Sequence, residues 1–230
     1  MDRRVRAAAL ILVLASALVG AVFAVDAFGD HRQAEAEAAA WERRLAPPRP
    51  ATSAERVLGR AAARIAGRRV TVLCDGDDLP SYGAGTVTHG IVWFYGGRPA
   101  NYAVVAPNLC RELLLIPRGR IPAEEAECLR RWAGLGCGDR VPWLALAAAT
   151  LAHESFHLRG VQDEAAADCY AIQAVELVVA ALGMDEREAE GLGAFARANH
   201  RVGQADQYAS PECREGGRLD LDRGHDGGLG

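Results

Sequence analysis

The chain has 230 residues, half of them hydrophobic and 24% charged; this suits one ordinary domain plus an appended segment and excludes a disordered tail or a fibrous repeat. Twenty-six basic against 30 acidic residues leave a net charge of −4, the wrong balance for a dedicated nucleic-acid binder, so no nucleic-acid partner is expected. The chain contains no lysine, a bias we read as that of a GC-rich coding sequence, so its arginines are weak evidence of a basic surface.

The first element is a basic stub, Asp2-Arg3-Arg4-Val5-Arg6, followed by an uncharged apolar run from Ala7 to Val25. Nineteen residues at about 1.5 Å each just cross a bilayer, and the basic side should stay cytoplasmic. We therefore expect residues 1–29 to be an N-terminal membrane anchor with everything after it extracytoplasmic. A cleaved signal peptide, giving a secreted protein, is the alternative. Residues 30–54 read as a juxtamembrane linker, helical from Gln33 to Leu45 and stiffened by Ala46-Pro47-Pro48-Arg49-Pro50. All six cysteines follow the apolar run, and none has C-x-x-C spacing. In an oxidising compartment they read as three disulfides, and we expect the un-nested set Cys74–Cys110, Cys128–Cys137 and Cys169–Cys213.

Residues 55–209 are expected to form the folded domain and 210–230 an irregular tail. A helix opens at Ser53 and runs to about Ile65, with Val57, Leu58, Ala61 and Ile65 on one face. Val70–Cys74 reads as a strand, and Asp75 to Pro80 as a plain turn. Thr86–Tyr95 and Tyr102–Ala106 are β-branched and aromatic, and read as two strands joined by a loop over 96–101. Further helices are expected over Ile121–Trp132, Pro142–Leu158, Asp163–Leu182 and Asp185–His200. This order describes an α+β chain, a small antiparallel sheet packed on helices. Trp93, Trp132 and Trp143 are expected in the core.

The chemistry lies in the Pro142–Leu158 helix. His153-Glu154-Ser155-Phe156-His157 is H-E-x-x-H, which a chain with 6 His and 16 Glu acquires by accident only about 0.01 times. Residues four apart share a helix face, so His153 and His157 can offer two imidazole nitrogens to one zinc ion. Glu154 lies about 100° round the helix, suited to take a proton from a metal-activated water. A third ligand must come from nearby. In one reading Gly160 caps the helix, Asp163 N-caps the next, and Glu164 binds the metal, with Asp168 orienting a ligating His. In the other, H-E-x-x-H-x-x-G-x-x-D makes Asp163 the ligand.

HESFH followed by Glu164-Ala-Ala-Ala-Asp168-Cys169-Tyr170-Ala171 resembles the gluzincin branch of the zincin metallopeptidases, over about residues 143–175. The second segment is similar to E-x-x-A-D-C-[FY]-A of bacterial neutral zinc metallopeptidases, and the longer string to membrane-anchored H-E-x-x-H proteins of high-GC bacteria. The resemblance implies a zincin-like active-site helix, one zinc per chain, and hydrolysis of a peptide or protein substrate. The tight helical hairpin after that helix is read from Gly160 and Asp163, and its gap is shorter than gluzincins usually have. It also implies a Tyr or His that stabilises the oxyanion, for which Tyr170, His200 and Tyr208 are candidates. A sheet edge in the Thr86–Ala106 region is expected to receive an extended substrate. The expected function is an extracytoplasmic zinc peptidase held at the cell membrane. A non-catalytic zincin-like cell-envelope binding module is the alternative.

Overall fold

The structure is a computed structural model and describes residues 36–76, 88–131, 136–199 and 208–221. The expected anchor, Trp132 and His200 lie outside the described residues. Among the described residues, no helix is long and apolar enough to cross a membrane. The chain divides into two units, Met1–Arg44 and Leu45–Gly230. What is described of the first is helical, within α1 (36–45). The second takes in the last ten residues of the expected linker.

Helix α2 (Ser53–Ala66) starts where Thr52 and Glu55 form a reciprocal capping box, which satisfies two otherwise unpaired backbone N–H groups. It leads into β1 (Thr71–Cys74). The expected single strand over 86–95 is instead two short ones, β2 (Gly90–Ile91) and β3 (Phe94–Tyr95). The expected loop after them contains β4 (Arg98–Pro99), paired with β3. Gly96 and Gly97 both have positive φ, the backbone a two-residue hairpin needs to match strand twist.

Strand β5 (Tyr102–Val105) is central in the order β1-β5-β2, and this corrects the antiparallel expectation: the sheet is mixed. β1 runs parallel to β5 and β2 antiparallel to it. All four residues of β5 are buried, as a strand covered on both faces requires. Val72, Ala103 and Val105 face the main core, while Leu73, Tyr102 and Val104 join a smaller cluster with Ala100. That is the alternation of a pleated strand. Trp93 packs, partly buried, against the smaller cluster.

Helix α3 (Pro107–Leu113), absent from the expected elements, begins with Pro at its first position and buries Leu109, Cys110 and Leu113. After α4 (Ala123–Arg130) comes α5 (Arg140–Arg159), the axis of the domain. It packs against α2, α3, α6, α7, α8 and β5, and is accordingly apolar on most sides. Leu144, Leu151, Phe156 and Leu158 are almost wholly buried, each worth about 1.5–3 kcal/mol of transfer free energy. Trp143 corrects an expectation, being 51% exposed near the start of α5. The helix expected over 163–182 is two, α6 (Glu164–Gln173) and α7 (Val175–Ala181), divided at Ala174. α8 (Glu186–Asn199) follows.

The described tail, 208–221, has turns and no extended helix or strand, but it is tied down. Gln173 on α6 donates to the Leu219 carbonyl and accepts from the Leu221 N–H. The Cys169–Cys213 disulfide joins the same two segments, and Cys74–Cys110 and Cys128–Cys137 complete the expected pairing.

Candidate metal centre

The last turns of α5 carry the site. Gly160, at φ 112, takes the left-handed cap, and its N–H returns to the Phe156 and His157 carbonyls. Asp163 then caps α6 with its side chain, accepting from the Ala166 N–H at 2.7 Å. With its carboxylate turned to that cap, Asp163 is outside the cluster of converging donors, and Glu164, first residue of α6, is in it.

His153, His157 and Glu164 each turn one donor atom to a common point, all within 4.8 Å of one another. The two Nε2 atoms are 2.9 Å apart, and Glu164 Oε2 is 3.1 Å from His153 Nε2 and 3.4 Å from His157 Nε2. Tetrahedral ligands at zinc–ligand lengths of about 2.0–2.2 Å are roughly 3.3–3.5 Å from each other, so these three need open by only a few tenths of an ångström. The protons argue the same way. His157 Nδ1 lies 2.6 Å from the Val161 carbonyl, which can only accept, so Nδ1 carries the hydrogen. In the neutral ring, the form in which a histidine holds a metal, Nε2 is then a lone pair facing a second imidazole and a carboxylate; with no metal, a proton carried there is what lets His157 donate to Glu164. A cation is what such a cluster of electron-rich atoms accommodates.

Burial grades the cluster. The His157 side chain is 6% exposed, that of His153 13% and that of Glu164 46%, so the point they share has a dry floor and a wet side. Asp168 Oδ1 faces His153 Nδ1 at 3.8 Å, a charge-pair distance longer than a hydrogen bond. Hydrogen bonds from His153 and then His157 hold the Glu164 carboxyl far below the usual carboxylate range. For His157 burial pulls downward, but the Glu164 hydrogen bond, the Glu154 charge and the Val161 carbonyl outweigh it and the net shift is upward.

Glu154 stands outside the three converging donors but within their electrostatic reach. It is 4% exposed, packed beneath β2, and its Oε2 accepts no hydrogen bond among the described residues. Burial pushes its carboxyl up to about 7, against the downward pull of the two histidines. A carboxyl near neutrality exchanges protons readily with a water at the site.

Two further segments meet the cluster. The Phe94 ring meets His157 edge-on at 5.9 Å, and the hairpin that carries it is tied to the α5–α6 turn by Gln162 donating to the Gly97 carbonyl. Tyr208 brings its ring to 6.0 Å from His153. Tyr170 packs on Phe156, and Met184 is a buried core residue. His89 is partly buried at the start of β2, and burial depresses its pKa. Phe94 and Gly90 carry no sequence signal as site residues, since neither has a reactive group. Compared with protein-family models, with curated proteins and with solved structures, the chain finds no match. Its fold and site are those of a disulfide-stapled α+β domain presenting two imidazoles and a carboxylate at one point.

Proposed function

We propose that the chain is a zinc-dependent peptidase of zincin type, acting outside the cytoplasm, with His153, His157 and Glu164 as the zinc ligands and Glu154 as general base. The observation that carries the reading is the convergence of three donor atoms, at ligand-like separations, beside a buried carboxyl with an unsatisfied oxygen. Zinc, when bound, acidifies a water and polarises the carbonyl to be attacked. The chain's own groups do the rest. Val161 fixes the His157 tautomer, and Asp168, 3.8 Å from His153 Nδ1, sets a carboxylate on the far side of that ring. Glu154 takes the water's proton and returns it to the leaving amine. Among the described residues β2 is an edge of its sheet, where an extended peptide would add as a further strand. The three disulfides support an oxidising compartment, and the apolar run at 7–25 supports attachment to the membrane.

The test uses the full chain, purified without chelators, against labelled casein and a mixture of internally quenched peptides. We expect about one zinc per chain, cleavage abolished by 1,10-phenanthroline and restored by added zinc. Glu154→Gln keeps the metal and loses turnover by at least about 100-fold. A chain that carries no zinc sinks the proposal.

A second reading, a zinc-holding envelope module without catalysis, draws on the burial of Glu154 beneath β2. It is favoured if wild type binds zinc yet cleaves no more than Glu154→Gln.

A further inference from the structure

We propose that Gly90 is a positioning residue: its missing side chain leaves the room that the Glu154 carboxylate occupies between β2 and α5. This rests on the reading of Glu154 as the base. A Cβ built at Gly90 lies 2.6 Å from Glu154 Oε1, 2.7 Å from Cγ and 2.9 Å from Cδ. Non-bonded carbons meet at about 3.5–4.0 Å, so the overlap is severe. It includes Cγ, so moving the tip of the side chain does not relieve it; everything beyond Cβ must rotate.

Neither backbone can retreat instead. Gly90 is registered against Val105 and Ile91 against Val104, and the His89 carbonyl accepts from the Ala106 N–H at 2.8 Å. β5 is itself buried and paired on both sides. On the other side α5 is held by Leu151, Ala152 and Phe156, exposed by 0%, 0% and 2%. Two rigid elements thus approach until only hydrogen fits between them, and the carboxylate occupies what remains. Glycine in a strand commonly marks such a close approach. The role is one of placement, since Gly90 offers no group to the reaction.

The full chain is made with Gly90→Ala, alone and combined with Glu154→Asp or Glu154→Ala. In Gly90→Ala we expect zinc to stay at about one per chain while kcat falls about 100-fold, the scale of a lost general base. Shortening the carboxylate makes room for the methyl, so Gly90→Ala with Glu154→Asp should turn over about tenfold faster than Gly90→Ala; a merely structural defect is not rescued in this way. Thermal unfolding gives a readout without turnover: Gly90→Ala should lower Tm by about 5 °C in the native background and by almost nothing with Glu154→Ala. Wild-type turnover in Gly90→Ala, or an equal Tm loss in both backgrounds, overturns the inference. If wild type cleaves nothing, the peptidase reading fails, and the two Tm differences still decide whether Gly90 seats Glu154. If Gly90→Ala does not fold, recovery of folding by Glu154→Ala supports the contact, and failure to recover refutes it.

Discussion

Glu55 shows how much one side chain can organise. It is 3% exposed and accepts from both terminal nitrogens of Arg49, from the Thr52 N–H and from the Cys74 N–H. One carboxylate thus joins the segment before α2, the start of α2 and the end of β1. The Arg49 hydrogen bonds, against the upward pull of burial, hold its carboxyl at about 2. A depressed carboxylate contributes stability that is present above its unfolded value, about 4.5, and is lost as pH falls towards 2. With Arg49 part-exposed, we put that contribution at about 2–3 kcal/mol. Arg49→Met should therefore be less stable than wild type in urea denaturation at pH 7, and the gap should close between about pH 4.5 and pH 2. A gap unchanged across that window would show that Arg49 does not set the Glu55 ionisation. The start of α2 at Ser53 was legible in the sequence; the Arg49 and Cys74 contacts were not, because they depend on where the chain returns.

Among the elements, the α5–α6 corner matters most for chemistry. Gly160 ends one helix, Asp163 caps the next, and the short link leaves Glu164 facing back at two imidazoles. Both assignments for the third ligand were open in the sequence because Asp163 and Glu164 are adjacent carboxylates. In the structure Asp163 turns to its cap and Glu164 to the two imidazoles, since an N-cap side chain folds onto its own backbone while the next residue projects outward. Asp163→Asn should keep zinc and stability, because Asn caps as well as Asp. Asp163→Ala should lose about 1 kcal/mol in denaturant unfolding and weaken zinc binding. Loss of zinc in Asp163→Asn would instead mark Asp163 as a ligand. At the same corner Arg68 donates to the Leu158 carbonyl through Nε and Nη2 and to the Ala100 carbonyl through Nη2. It binds the end of α5 to the chain before β5, where a cation also suits the helix dipole. Nothing in the sequence distinguishes this arginine from the other 25 basic residues.

For the whole molecule, three disulfides close loops of very different span. Their sequence separations are 9, 36 and 44 residues. On a chain-entropy view the short one contributes about 2–3 kcal/mol and the two long ones about 4 kcal/mol each. Replacing Cys169 and Cys213 with Ser should thus lower stability more than replacing Cys128 and Cys137, as read from urea midpoints. It should also free the segment bearing Tyr208 from α6, visible as faster amide exchange over 208–221. Equal losses for the two pairs would argue against the entropic account.

The sequence by itself determined what depends on neighbours along the chain. The i,i+4 spacing of His153 and His157 puts them on one helical face, and Gly160 and Asp163 bound the turn. Folding alone decided what depends on residues distant in sequence. β1 lies parallel to β5, Phe94 meets His157, Tyr208 meets His153, and Gly90 closes over Glu154. The physical reason is that helix and cap geometry are set within a few bonds. Strand pairing and packing are instead chosen by which surfaces bury one another, and no short stretch of residues records that choice.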